Sequence, residues 1–457
     1  MKGTLNSYLK QFPGIVLAML LLCLSSCKED RADMSSLLST VPSSAAGVVS
    51  INLKAMLQDV GCKVDGKEIK PGKEITDLMK KLDDKERNDL IRLFNGDTGV
   101  SPDCAVIFFD SNRCFLTVSL ADVDEFCRFF EEDRGSTFTD AGNNVRICEN
   151  VAVKGAQAWY CLTPGKRIDA DAIAAYSVLK NSQSFLSTEM AGLFINADKD
   201  IVGWGNIQTV LSGFMSRSNL SILSIGMGFL FEDAQNLSFS VDFEDAEMEA
   251  EVLVLNENGK PAKYLLPADK INLNTIEGLG ETCDALFAFT VTPKMVSKFE
   301  KIGSAIGGSL FSEIPELLKN IDGTVAAISS NPDSGGFKSI NGVITTKGNV
   351  SQELKDMISN GIAPVKEDGK MLRFSDGTVT GHLNVKESAE QIKGSCLGVV
   401  VDLNGLGVVN GSIPNIPSTF HSLTFSMNPE SGGIEFKLVL NGADSKENIL
   451  LTILKSC

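Results

Sequence analysis

Three short sequence patterns occur twice in this chain of 457 residues, in the same order in each half. They are a strand that leads into a helix, a hairpin followed by a helix, and a second hairpin with alternating apolar positions. The copies span residues 45–52 and 283–290, 105–130 and 325–358, and 236–256 and 422–441. Strands that alternate in this way bury one face of an antiparallel sheet. The repetition predicts two tandem copies of one unit; chance similarity between short strands is the alternative.

The order of the elements predicts an α+β fold with mostly antiparallel sheets, because hairpins and helices do not alternate regularly as in a doubly wound parallel sheet. Residues 75–94, for example, carry apolar side chains at helical spacing. The chain is too long for one hydrophobic core. We predict a first unit at residues 43–268 and a second at residues 278–457. A further copy of the opening strand is expected in each unit, at residues 190–196 and 396–402.

The first half is longer than the second between this further strand and the last hairpin. From residue 192 to 237 is 45 residues, whereas from 398 to 423 is 25, a difference of 20. The additional residues fall at 212–231. Their apolar side chains include Phe214, Met215, Ile222, Ile225, Met227 and Phe229. Such a surface is suited to a partner or an apolar ligand; a helix packed on the sheet is the alternative.

The start of the chain resembles the signal of a bacterial lipoprotein. A positively charged beginning is followed by an apolar run at residues 15–24, which is too short to span a bilayer. The lipobox that precedes Cys27 consists of Leu24, Ser25 and Ser26. The resemblance implies that residues 1–26 are removed, that Cys27 is acylated, and that residues 27–42 form a tether to the membrane. An ordinary secretory signal with a chance cysteine is the alternative.

The residues after Cys27 resemble the surface-export signal of Bacteroidota lipoproteins. This short acidic stretch consists of Lys28, Glu29 and Asp30. The resemblance implies display on the outer face of the outer membrane; a solvated tether is the alternative. Without the signal the chain keeps 40 Lys and Arg against 58 Asp and Glu, a net charge of −18. Because of this negative charge we expect no binding to nucleic acid. The lipid on Cys27 is the one membrane attachment that we predict.

The duplicated layout behind a lipoprotein signal is similar to an uncharacterised lipoprotein family of Bacteroidota, known as a domain of unknown function. The resemblance implies an α+β body over nearly the whole mature chain. It implies no active site, and no activity comes with it.

The sequence contains no catalytic or cofactor signature. Its two histidines, His382 and His421, have no nucleophile motif beside them, and we interpret both as surface residues. Residues 196–200 begin like a calcium loop but lack its glycine and its bidentate glutamate, so we interpret them as a helix cap. We therefore predict no metal and no cofactor.

Paired carboxylates are the one catalytic arrangement that the composition permits, because they can hydrolyse glycans. The candidates at strand ends and at a helix start are Asp103, Asp110, Asp122 and Asp124. Against this, the chain has only 2 Trp and 4 Tyr, the residues on which sugar rings usually stack.

The cysteines give one structural hypothesis. Nine remain outside the signal and the anchor, without the spacing of a metal site. A hairpin around residues 154–155, with a two-residue turn, places Cys148 opposite Cys161. An export compartment permits disulfides, so a Cys148–Cys161 bridge is predicted.

Three functions remain open at this point. The first is a non-enzymatic binding or accessory module on the outer membrane, whose ligand is a protein, a glycan or an apolar molecule. The second is a carrier or chaperone for an apolar molecule, which would use residues 212–231. The third is a glycan hydrolase with paired carboxylates.

Overall fold

The computed structural model describes residues 34–456, except 111–112, 164, 196, 213–226, 229, 267, 307–317, 331, 334–335, 338, 349, 404–418, 431 and 444–445. The fold is α+β, as expected from the sequence. The chain forms two compact units: the first contains residues 1–215, 236–248 and 446–457, and the second contains residues 216–235 and 249–445. These units differ from the predicted boundaries, because residues 216–235 and 249–268 belong to the second unit and residues 446–457 to the first.

The regular elements are short and numerous. The strands are β1 (Gly47–Ile51), β2 (Lys63–Asp65), β3 (Glu68–Lys70), β4 (Val100–Asp110), β5 (Arg113–Leu120), β6 (Thr139–Asp140), β7 (Arg146–Cys148), β8 (Val151–Lys154), β9 (Gln157–Cys161), β10 (Ile201–Asn206), β11 (Asn236–Glu244), β12 (Glu247–Leu255), β13 (Thr282–Cys283), β14 (Ala285–Val291), β15 (Ile321–Ser329), β16 (Pro332–Asp333), β17 (Gly336–Phe337), β18 (Ile340–Thr346), β19 (Val365–Asp368), β20 (Met371–Ser375), β21 (Leu383–Asn384), β22 (Leu397–Asp402), β23 (Phe420–Glu430) and β24 (Gly433–Gly442). The α-helices are α1 (Ser35–Leu38), α2 (Leu53–Asp59), α3 (Lys73–Met79), α4 (Asp84–Phe94), α5 (Val123–Arg134), α6 (Ala170–Tyr176), α7 (Ala191–Ile195), α8 (Ile207–Ser212), α9 (Pro293–Ile306), α10 (Gln352–Gly361), α11 (Val385–Gln391) and α12 (Ile449–Ser456).

In the first unit, β1 lies at the centre of an antiparallel sheet. It pairs with β4 on one side and with β10 on the other. The sheet continues from β4 to β5 and β9, and from β10 to β11. Helix α2 follows β1. Its N-cap is Asn52, whose side chain accepts a hydrogen bond from the backbone N–H of Ala55.

The second unit has a sheet with the same strand order. Here β14 is central and pairs antiparallel with β15 and β22. The sheet continues from β15 to β18 and β20, and from β22 to β23 and β24. The order β9-β5-β4-β1-β10-β11 thus corresponds to β20-β18-β15-β14-β22-β23. This agreement supports the tandem duplication, which stays a prediction.

One expected strand is wrong. Residues 191–195 form helix α7, and the strand that corresponds to β22 is β10, further along the chain. Short apolar stretches fit a helix turn as well as a strand, so their pattern alone does not separate the two. Counted from β10, residues 207–235 give 29 residues before β11, against 17 residues at 403–419 before β23. The first half is therefore longer here by 12 residues rather than 20.

One face of the second sheet packs against helix α11 and builds a buried core. Its strand residues include Leu286 and Ala288 of β14 and Val400 of β22, and α11 adds Val385 and Ala389. Period-2 alternation directs the neighbouring residues of the same strands to the opposite face. Among the described residues, no helix is both long and apolar enough to cross a membrane.

Candidate functional site

Two aspartates lie side by side at the ends of neighbouring strands in the second unit. Asp284 is the last residue before β14, and Asp402 is the last residue of β22. The backbone N–H of Asp402 donates to the carbonyl of Asp284 over 2.8 Å, and the N–H of Asp284 donates to the carbonyl of Ser329 over 2.9 Å. These backbone bonds fix both carboxyl groups at one edge of the sheet, where their side chains are 6% and 0% exposed.

A close backbone approach brings His382 to the same place. It precedes β21, a two-residue strand that pairs with β13. A Cβ atom at Gly381 would lie 2.1 Å from the carbonyl carbon of Cys283, so this approach requires a glycine. The backbone N–H of His382 donates to Oδ1 of Asp284 over 3.0 Å.

The imidazole of His382 turns Nδ1 towards both carboxylates. Nδ1 lies 3.0 Å from Oδ1 of Asp284 and 3.0 Å from Oδ2 of Asp402, while the ring remains 69% exposed. The hydrogen bond with Asp284 and the negative charge of Asp402 raise the pKa of His382. Two carboxylates that share one ring nitrogen favour a positive charge between them, which a proton or a cation can supply.

The corresponding positions of the first unit have the same backbone contact without the acids. There the N–H of Asn206 donates to the carbonyl of Ala46 over 2.9 Å, at the ends of β10 and β1. Since an alanine and an asparagine form this edge equally well, the strand geometry does not require carboxylates at Asp284 and Asp402.

An apolar cavity of about 420 Å³ adjoins this cluster on the second sheet. Asp284 and Ser329 line it together with apolar side chains. The apolar lining consists of Ala285, Leu286, Phe287, Ala327, Ile328, Ile340, Val399 and Val401. Phe287 is 41% exposed, and its ring centroid lies 5.3 Å from that of Phe289. The volume falls in the range of small-molecule sites.

Most residues of the predicted anchor and contact segments lie outside the described residues. This applies to Cys27, to the lipobox (Leu24, Ser25 and Ser26), to the export stretch (Lys28, Glu29 and Asp30), and to Phe214, Met215, Ile222, Ile225 and Phe229. Met227 is half-buried, and its carbonyl accepts a hydrogen bond from the N–H of Phe231.

The hairpin register behind the predicted disulfide is wrong. Lys154 pairs with Gln157, so the turn lies one residue later than expected. Cys148 belongs to β7 and faces Val151 of β8, because the chain reverses at Glu149, whose φ is 55°. Cys148 and Cys161 are both buried as free thiols.

The four carboxylates proposed for glycan hydrolysis do not form a pair. Tyr176 donates to Asp110, and Ser101 donates to Asp103. Asp122 caps α5, and Asp124 lies 3.6 Å from Arg146. Each of these acids therefore has a local structural role.

Residues 197–200 are the described part of the segment that we interpreted as a helix cap. They lead into strand β10 instead, so that interpretation is wrong. Its last residue, Asp200, is fully buried, and its Oδ2 accepts a hydrogen bond from the N–H of Phe243. The acid thus ties two neighbouring strands together.

The sequence did not identify the Asp284–His382–Asp402 cluster. Its members are separated by 98 and 20 positions along the chain. The available signal was a comparison of the repeated halves, in which an acid at the end of one strand has no acidic counterpart in the other half.

Neither a protein-family model nor a curated protein sequence matches the chain. Solved structures of two crystal forms of TP0453 are similar at a TM-score of 0.26 and 9% identity. They cover 79% and 77% of this chain, and 97% and 96% of their own. A likeness at this level carries no functional conclusion.

Proposed function

We propose that this chain is a lipid-anchored lipoprotein of the outer membrane that acts as a non-enzymatic binding module, and that the apolar part of its ligand enters the cavity of the second unit. The observation that carries the proposal is that cavity, whose lining is apolar apart from Asp284 and Ser329. A half-exposed aromatic side chain such as Phe287 gains by transfer from water to an apolar contact.

The cavity also specifies the ligand more closely than the sequence does. A molecule that is apolar over most of its surface matches this pocket, because the lining is apolar apart from Asp284 and Ser329. The carrier function stays an alternative that uses the same cavity, with its strands rather than residues 212–231 as the walls. It differs from the binding module in that the ligand must be released to a second site.

Glycan hydrolysis gains no support from the described residues. Asp284 and Asp402 come together, but each directs an oxygen at His382 and both are buried. Paired catalytic carboxylates flank a sugar ring in an open cleft, with room between them for the scissile bond.

The test is a titration of the full chain with N-phenyl-1-naphthylamine, an apolar probe whose fluorescence rises in an apolar site. We compare the parent with Val399→Asp, which places a charge in the cavity wall. The matched control is Ile362→Asp, because Ile362 is an exposed apolar residue of the same unit outside the cavity lining. Circular dichroism verifies that each variant is folded.

Val399→Asp is expected to weaken probe binding about 10-fold or more, since an unpaired charge in an apolar site costs at least about 1.4 kcal/mol. Ile362→Asp is expected to leave probe binding unchanged. Equal affinities for the parent and the folded Val399→Asp variant would show that the cavity is not the binding site.

A further inference from the structure

We propose that Asp284, His382 and Asp402 form a binding site for one divalent transition-metal ion, and that Zn²⁺ fits it best. This site goes beyond the binding function proposed for the apolar cavity, because it holds a second and chemically different ligand. Among the described residues, this is the group of His, Cys, Asp and Glu side chains whose ligand atoms converge, all lying within 4.8 Å of one another.

The distances within the cluster are close to those between neighbouring ligands of a metal ion. Zinc binds histidine nitrogen and carboxylate oxygen at about 2.0–2.2 Å. Neighbouring ligands of a tetrahedral zinc ion are therefore about 3.4 Å apart, so the ligand atoms of this cluster need to separate by about 0.4 Å to hold the ion. Nδ1 of His382 lies 3.0 Å from Oδ1 of Asp284 and 3.0 Å from Oδ2 of Asp402.

The charge of the cluster also suits a metal ion. A neutral imidazole with a proton on Nδ1 has one N–H for two carboxylates at equal distance. An ion between the three atoms accepts a lone pair from each of them.

The first unit shows that the fold does not need these acids. Ala46 and Asn206 make the same backbone contact at the corresponding strand ends. The acids and the histidine occur together only where Gly381 lets the β21 backbone approach Cys283. Three side chains from three separate segments are thus held in one place by backbone geometry.

The ligand set selects the ion. Imidazole suits zinc, copper, iron and nickel, whereas Mg²⁺ and Ca²⁺ prefer oxygen ligands throughout. One nitrogen and two carboxylate oxygens therefore favour these ions over Mg²⁺ and Ca²⁺, and among them Zn²⁺ is the ion that commonly takes three protein ligands from histidine and carboxylate side chains. Three protein ligands leave at least one coordination position open, as in zinc sites that also bind water or a small ligand. Because the ring of His382 is 69% exposed, solvent reaches this position.

The test uses Zn²⁺ alone as the probe, with the purified full chain, free of any histidine tag and stripped of metal by a chelator. Calorimetry gives the affinity and the number of ions per chain. Nitrogen-15 NMR of the imidazole rings identifies the ligand, because His382 and His421 are the two histidines of the sequence. We expect one Zn²⁺ per chain and a shift of Nδ1 in the His382 ring, with the His421 ring unchanged.

Three variants decide between the site and unspecific binding. His382→Gln and Asp402→Asn are expected to lower the affinity for Zn²⁺ about 100-fold or more. The control, His421→Gln, is expected to retain it. Because Asp402 is buried, the Asp402→Asn result is used only if circular dichroism shows that the variant is folded. The side chain of His382 is exposed, so His382→Gln is expected to fold and tests the site by itself.

The proposal is wrong if His382→Gln binds Zn²⁺ as tightly as the parent, if the His421 ring responds instead, or if no heat of binding is detected at micromolar protein. Displacement of Zn²⁺ by millimolar Ca²⁺ would overturn the assignment of the ion. None of these outcomes depends on the apolar probe, so the metal site and the proposed binding function succeed or fail separately.

Discussion

Asp59, the last residue of α2, is the most perturbed acid of the first unit. Both of its carboxylate oxygens are buried, and neither has a hydrogen-bond partner among the described residues. Burial raises its pKa to about 9, and the charges of Asp200 and Asp242 add to the effect, followed by those of Asp245 and Glu244. Asp59 is therefore protonated at neutral pH in the folded chain.

The shift predicts how stability changes with pH. An unfolded chain releases the Asp59 proton near the ordinary value of 3.8, whereas the folded chain keeps it up to about 9. Between these values the folded state binds more protons, so this residue lowers the free energy of unfolding as the pH rises. Asp59→Asn removes that effect and should raise the free energy of unfolding at pH 7 by about 1–3 kcal/mol, a value discounted for partial solvent screening.

Urea unfolding at several pH values between 4 and 9 measures this difference. The exposed Asp65→Asn serves as the control and should leave the pH profile of the parent unchanged. Parallel profiles for the parent and Asp59→Asn would contradict the assignment of a protonated Asp59.

Single residues also explain why the candidate site was missed. His382 stands in a polar loop sequence, and Asp284 and Asp402 read as ordinary ends of apolar strands. Periodicity predicts which face of a strand is buried, but the pairing of β13 with β21 and the close approach at Gly381 are long-range contacts. Because these contacts join distant segments, no local pattern in the sequence brings the three side chains together.

At the scale of elements, glycine and phenylalanine pair across neighbouring strands in both units. Gly203 of β10 faces Phe239 of β11, and Gly342 of β18 faces Phe374 of β20. A Cβ atom at Gly342 would lie 2.0 Å from Cζ of Phe374, so the ring lies directly over the glycine backbone. An aromatic ring that covers a strand glycine protects its backbone and fixes the register.

This pairing predicts that the two residues are energetically coupled. Phe374→Ala leaves a cavity and should lower the free energy of unfolding by about 3 kcal/mol or more. Gly342→Ala displaces the ring and should cost about 1–3 kcal/mol. The double variant should cost less than the sum by at least about 1 kcal/mol, because the clash disappears when the ring is removed.

Denaturant unfolding of the single and double variants gives the coupling energy. Gly348→Ala is the control for a glycine with open space around it, and its effect should simply add to that of Phe374→Ala. Additive effects of Gly342→Ala and Phe374→Ala would contradict the direct contact.

Elements were predicted well where alternation was long and poorly where a turn interrupts it. The last hairpin, β23 and β24, is ten or more residues long in each strand and was recognised in the sequence. The hairpin predicted around residues 154–155 requires one strand that runs from Cys148 to the turn, whereas the positive φ of Glu149 divides this stretch into β7 and β8. Local backbone reversals of this kind leave little trace in an apolar pattern.

At the scale of the whole molecule, the order of the sequence patterns predicted the α+β class correctly. It did not predict which residues belong to which unit. Helix α12 belongs to the first unit although it ends the chain, and Asn448 just before it forms a bridge with Asp245. A return of the chain end to the first unit has no local sequence signal, because it depends on packing between distant segments.

The lipoprotein proposal makes a prediction about the intact cell. Protease added to living cells should digest the chain without lysis, as mass spectrometry of its peptides can follow. Replacement of Lys28, Glu29 and Asp30 by alanine should protect the chain until the cells are lysed, since these residues are the proposed export stretch. Protection of the unaltered chain before lysis would place it on a periplasmic leaflet and refute surface display.

Asp284 belongs both to the three-residue cluster and to the wall of the apolar cavity. By the alternation of the strand, the carboxyl group of Asp284 lies on the face of Leu286, whereas Phe287 and Val399 line the cavity on the opposite face, so a bound cation and a molecule in the cavity would act on one residue from two sides of the sheet. Whatever free energy the cation contributes to binding of that molecule, the molecule contributes equally to retention of the cation, because linkage is reciprocal. To the extent that the two sites are coupled, the occupancy of the cavity would follow the metal content of the surroundings, with Asp284 as the residue that the two sites share.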